Sequence, residues 1–107
     1  MRGKRDGQIA VIFASTRTVE DDAGYSAAAA RMVELAACQP GYCGIASARG
    51  ADGFGITVSY WADEAAALQW RDHPEHAAIR DQGRTRWYSS YTLEVAQVGR
   101  GYDWTRE

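Results

Sequence analysis

The sequence predicts an α+β fold in the order β-α-β-β-α-β, and three observations predict it. Four short runs rich in Ile, Val, Phe and Tyr lie too close to chain breakers to be buried helices. Two segments, the first strongly alanine-rich, carry apolar residues at helical spacing and separate the first run from the second and the third from the fourth. A glycine-rich turn, Gly50-Ala-Asp-Gly53, joins the middle two runs as a hairpin.

Residues 8–16, QIAVIFAST, form the first strand, bounded by Gly7 and the polar Thr16-Arg17-Thr18. Behind Asp21-Asp22, the residues Tyr25, Ala28, Ala29, Met32, Leu35 and Ala36 recur at spacings of three and four, which draws one apolar helical stripe. Pro40-Gly41 stops that helix. Residues 42–49 and 54–61 are the hairpin strands, and Asp63 caps a second helix with Ala66, Ala67 and Trp70 on its inner side. Pro74 lacks an amide hydrogen and clashes with the preceding turn, so this helix is expected in two pieces, 63–72 and 74–84. Asp72 is the cap candidate for the second piece and Gly83 its stop. Residues 88–98 form the fourth strand, and 99–107 a tail holding Tyr102 and Trp104. The order is that of the ferredoxin-like arrangement, four antiparallel strands with both helices on one face. At 107 residues the chain is read as one domain, 8–107, behind a mobile tail of residues 1–7.

Twelve basic against fourteen acidic residues give a net charge of -2, which argues against a nucleic-acid partner. No apolar run approaches the roughly 20 residues of a membrane span. The basic start has no signal-type apolar run behind it, so a cytoplasmic protein is expected. Cys38 and Cys43 match no redox or zinc spacing and are read as reduced small hydrophobes. On the third strand Phe54, Ile56, Val58 and Tyr60 oppose Gly55, Thr57, Ser59 and Trp61, and neither face of the first strand is charged. Helices cover one face of such a sheet; a second copy is the expected cover for the other, which makes a homodimer.

Both histidines and three of the four tryptophans fall between residues 60 and 88. Trp61, Trp70 and Trp87 are read either as packing or as walls of an aromatic pocket. His76, one turn past the break, is a candidate acid or base; the alternative is a hydrogen-bonding role on the kinked backbone. His73 and His76 have no clear third ligand, so no metal is assigned. Nucleophile-elbow, P-loop and dinucleotide-binding patterns are absent. The discriminating observation is whether His76 and Trp70 line one ligand-sized cavity, of roughly 300 Å³ or more.

The element order, the QPGY helix stop, the strand GFGITVSYW and the following WRDHPEH together resemble the antibiotic biosynthesis monooxygenase superfamily over residues 8–99. The resemblance implies a dimeric α+β barrel with a substrate pocket between helices and sheet. Some members oxidise polycyclic phenols with O₂ and no metal or flavin; others bind and degrade haem, and still others have no known activity. Trp70 matches the family's helix tryptophan, and Trp61 the aromatic at the end of the third strand. Haem-degrading members also use a first-strand asparagine and a histidine further along than His76. This chain contains no asparagine, and Arg80 stands near that histidine position. The phenol oxidisers likewise use an asparagine near their substrate.

The resulting reading is a cofactor-free monooxygenase acting on an aromatic, phenolic small molecule. His76 is its acid or base, Arg80 or Arg84 its anion stabiliser, and Trp61, Trp70 and Phe13 its walls. The rival readings are a non-catalytic barrel that binds a small apolar ligand and a haem-binding member.

Overall fold

In the computed structural model, which describes residues 3–107, the four apolar runs join in one antiparallel sheet. Its strands are β1 (Ile9–Arg17), β2 (Tyr42–Arg49), β3 (Phe54–Trp61) and β4 (Tyr88–Gln97), in the spatial order β2-β3-β1-β4. Three helices accompany them: α1 (Asp22–Ala37), α2 (Glu64–Arg71) and α3 (Pro74–Gln82). This is the expected ferredoxin-like arrangement.

Register decides which side chains meet. Ile9 pairs with Trp61, Val11 with Ser59, Phe13 with Thr57 and Ser15 with Gly55, so these residues share one face. Trp61 packs there with Ala36 of α1 and with Ala66, Ala67 and Trp70 of α2, which makes this the helix side. β4 adds Tyr91, Leu93 and Val95 to the same side. The opposite side carries Ile12, Val58, Ile56 and Phe54, the last two 43% and 47% exposed.

The α1 stripe turns inward as its spacing predicts, with Ala36 buried and Tyr25, Ala28, Ala29, Met32 and Leu35 half-buried. Asp21 caps α1 by accepting the Gly24 amide at 3.1 Å. Gly41 ends the turn after α1 at φ 80°, and a Cβ there would lie 2.5 Å from the Ala66 methyl. Only glycine fits both the left-handed backbone and that approach. Asp63 caps α2, accepting the Ala66 amide at 2.8 Å, as expected.

The break at Pro74 is present, with differences at its borders. The cap of α3 is His73, whose Nδ1 accepts the Glu75 amide at 3.2 Å. Asp72 instead ends α2 and pairs with the neighbouring Arg71. Gly83 caps the C-terminus of α3 as expected, and the chain then runs through a wide π-turn, Gly83–Trp87, that delivers Trp87 to the interior. Gly83 is helical at φ -57°, and a Cβ on it would come within 2.9 Å of the Tyr88 ring. Close packing against Tyr88 is a second reason for glycine at this cap.

Of the expected N-terminal tail, residues 1 and 2 lie outside the described residues. Residues 3–7 form a turn tied to the sheet. The Gly7 amide donates to the Val98 carbonyl at 2.8 Å, and Arg5 donates to the Cys43 carbonyl at 3.0 Å while lying 3.8 Å from the Tyr60 ring centre. Both cysteines are free thiols. Among the described residues no helix is long and apolar enough to cross a membrane.

Trp61 has no exposed surface and anchors this core. Trp61→Ala is therefore expected to lower unfolding free energy by about 3–5 kcal/mol, measured by urea denaturation followed by circular dichroism.

Candidate functional site

The site is organised by an atom that Pro74 lacks. In a continuous helix the Trp70 carbonyl would accept from the amide of residue 74, and proline has none. Two other donors reach that oxygen: the His73 amide at 3.2 Å and His76 Nδ1 at 2.8 Å. In an unbroken helix residues 70 and 76 would sit about 9 Å apart along the axis and point in different directions. His73, at φ -59° and ψ 127°, bends the chain and folds the second piece back.

The same bend lays the His76 imidazole flat on the Trp70 indole, with ring centres 4.2 Å apart and planes 10° from parallel. Trp70 in turn stacks on Trp61 at 5.9 Å, and Tyr42 meets Trp61 edge-on at 5.8 Å. Because a carbonyl only accepts, Nδ1 of His76 carries the proton, which leaves the lone pair of the neutral ring on Nε2. Burial pushes the His76 pKa below its usual 6.5, against the Trp70 carbonyl, which raises it; the charges of Arg80 and His73 also lower it. The neutral ring is thereby favoured, with Nε2 as an acceptor.

The other residues singled out from the sequence are divided between places. Trp61, with 0% exposure and its indole N–H donated to Ser59 Oγ at 3.0 Å, lies behind Trp70 in the core. Arg80 reaches back to the Arg71 carbonyl at 3.2 Å and keeps a buried Nε–H without a partner. Phe13 belongs to a second aromatic cluster, 5.2 Å from the Tyr88 ring and 5.1 Å from Tyr91. Arg84, in the π-turn, joins that cluster by donating its Nε–H to the Tyr91 oxygen at 2.6 Å. Phe13 and the Trp61 row are four residues apart along β1, roughly 13 Å. Between them the helix side exposes Leu93 by 54% and Val95 by 53%, an apolar floor beneath no packed helix.

Sequence reasoning missed the polar partners of the second cluster. Arg49 donates to Ser15 Oγ at 2.8 Å and to the Tyr25 hydroxyl at 3.3 Å, and Arg17 lies 4.0 Å from the Tyr25 ring centre. Burial, with a hydrogen bond to Tyr25, pushes the Tyr88 phenol far above its usual range. These polar partners come from β1, α1 and β2, and no local pattern in the sequence joins them.

His76 and Trp70 line neither of two cavities on the chain. A cavity of about 350 Å³ lies at the sheet end, lined by Ile9, Val95, Asp63 and Glu64 among others. Another, of about 260 Å³, lies between Tyr60, Arg5 and Tyr102. Neither is lined by a histidine or a cysteine. Among the described residues no three His, Cys, Asp or Glu side chains gather to hold a metal ion.

Comparison with known proteins adds family and fold. The family model described as antibiotic biosynthesis monooxygenase matches residues 9–82. An uncharacterized Bacillus subtilis (strain 168) protein, YqjZ, is 54% identical over 91 residues, covering 85% of this chain and 79% of its own. The crystal structure of SnoaB, a cofactor-independent oxygenase from Streptomyces nogalater, superimposes with a TM-score of 0.68 at 19% identity, over 85% of this chain and 94% of that one. A conserved protein from Methanosarcina mazei Go1 gives a TM-score of 0.75 at 11% identity, over 85% and 92%. At these identities the solved structures show the fold.

The lowered His76 pKa has a thermodynamic consequence. The unfolded chain binds its proton more readily than the folded one, so stability is expected to fall as pH drops below about 6.5 and to level off above it. His76→Phe, which keeps a ring against Trp70 and removes the titration, flattens this slope in denaturant melts between about pH 5 and 8.

Proposed function

The chain belongs to the antibiotic biosynthesis monooxygenase family, and from that premise we propose that it binds an aromatic, phenolic small molecule on the helix side of its sheet and oxidises it with O₂, without metal, flavin or haem. The observation that carries this reading is His76: half-buried on an aromatic platform, with Nδ1 engaged and Nε2 left to accept a proton.

An electron-rich phenolate reduces O₂ without help from a cofactor. In the proposed reaction Nε2 takes the phenol proton, the ring carbon opposite the oxygen bonds to O₂, and the returned proton makes a hydroperoxide. Loss of that carbon's hydrogen with cleavage of the O–O bond releases one water and leaves a quinone. All four electrons come from the ring; one oxygen atom stays in the product and the other leaves as water. The protein's part is to bind the phenol away from water, hold Nε2 near its proton and place cationic groups beside the phenolate. Trp70 and Phe13 supply aromatic contact, Arg80 or Arg84 the charge, and Trp61 backs Trp70.

We propose further that two copies pair through the uncovered sheet face, where Phe54, Ile56, Val58 and Ile12 form an apolar patch with Glu94 beside Ile12 at its β4 side. Sedimentation should show a dimer at micromolar concentration, and Ile56→Asp should shift it to monomer; a stable wild-type monomer overturns the pairing.

The catalytic test offers a hydroxylated anthrone or naphthol to the protein under air. His76→Ala is expected to lower the rate by about 10²–10⁴-fold, the usual worth of a general acid or base. Trp70→Phe should mainly weaken binding. Unchanged turnover in His76→Ala would reject His76 as the base, whereas binding without turnover by the wild type would leave a small-ligand-binding barrel as the better reading.

A further inference from the structure

We propose that Pro74 is a positioning residue for His76: by withholding the one amide that would fill the Trp70 carbonyl, it places the imidazole proton on Nδ1 and the lone pair on Nε2. The inference rests on the reading of His76 as the base and adds what sets its active tautomer.

Three observations carry it. The Trp70 oxygen has two acceptor positions; the His73 amide takes one at 3.2 Å and His76 Nδ1 the other at 2.8 Å. An amide at residue 74 would compete for the second, and would also favour the straight helix in which residue 76 cannot reach residue 70. Secondly, α3 is held in place from its far side. Arg31 of α1 grips Glu75 through Nε at 2.6 Å and Nη2 at 3.1 Å, which fixes the first turn of α3 over α1. The imidazole therefore meets the carbonyl as part of a fixed elbow. Thirdly, the two histidines flanking Pro74 have opposite assignments. His73 Nδ1 accepts the Glu75 amide, which puts its proton on Nε2, whereas His76 Nδ1 donates. One break gives two rings of the same type reversed roles, and only the ring stacked on Trp70 presents a bare Nε2.

The chain has two histidines, so the test is a spectrum with two imidazoles. Long-range ¹H–¹⁵N correlation on uniformly labelled protein at about pH 8, above the ordinary imidazole range, should show His76 as the Nδ1–H form and His73 as the Nε2–H form. This needs no substitution. An Nε2–H pattern for His76 overturns the proposal. Pro74→Ala should move His76 toward the Nε2–H form while circular dichroism shows a folded chain; an unmoved pattern in folded Pro74→Ala also overturns it. With a phenol that the wild type turns over, Pro74→Ala should lower kcat by about 10–100-fold and leave KM within about twofold, since the wrong tautomer binds but does not accept the proton. The two readings fail separately. Unchanged turnover in His76→Ala rejects the catalytic role, whereas the tautomer pattern alone accepts or rejects the role of Pro74.

Discussion

The arrangement of the helix side depends on one unmade hydrogen bond. Without an amide at Pro74 the helix cannot continue, and the orphaned Trp70 carbonyl must find other donors because a buried acceptor without one is unfavourable. His73 and His76 supply them. The imidazole is drawn onto the indole, the indole onto Trp61, and the sequence-distant ends of β1, β3 and α2 are tied into one stack. Arg31 and Glu75 close the elbow from α1.

The other end of the helix side is built differently. Where the Trp61 end is apolar, the Ser15 end gathers two guanidiniums around one phenol: Arg17 over the Tyr25 ring and Arg49 at its hydroxyl. These cations are occupied by backbone carbonyls, Arg17 at Trp87 and Arg49 at Ser15 and Gly53, so they brace the hairpin and the start of α1. Trp87 adds its indole N–H to the Asp21 carboxylate, which holds that group below its usual range. Between a stacked end and a braced end, the stretch of β4 around Leu93 and Val95 is the least covered apolar surface on the helix side. In the proposed reaction the ligand meets the sheet there and not in the core.

Much of this was legible in the chain. The four strands, the α1 stripe, the Asp63 cap and the break at Pro74 are local effects of periodicity, capping and a missing donor, and each acts within a few residues. The cap of α3 was not legible, because Asp72 is the better capper by type while His73 has the geometry. The role of Trp61 was half legible: alternation puts it on the helix side, but whether it lines a pocket or fills the core depends on Ala66, Ala67 and Trp70 arriving above it. The two proposed roles of His76, acid or base and backbone partner, turn out to be compatible, one on each ring nitrogen. The Arg49–Ser15–Tyr25 contacts join residues up to 34 positions apart and have no local signature.

The π-turn at Gly83–Trp87 bears on how this chain tolerates changes in length. A wide turn holds one residue more than an α-turn would, and that extra residue sets the phase in which β4 enters the sheet. Since side chains alternate, losing one residue there would rotate β4 by half a period and exchange its two sides. Tyr91, Leu93 and Val95 would leave the helix side, and Ser90, Thr92 and Glu94 would replace them. An insertion or deletion at this turn is thus a change of surface chemistry across a whole strand, whereas the same change in the tail beyond Val98 alters no pairing in the sheet.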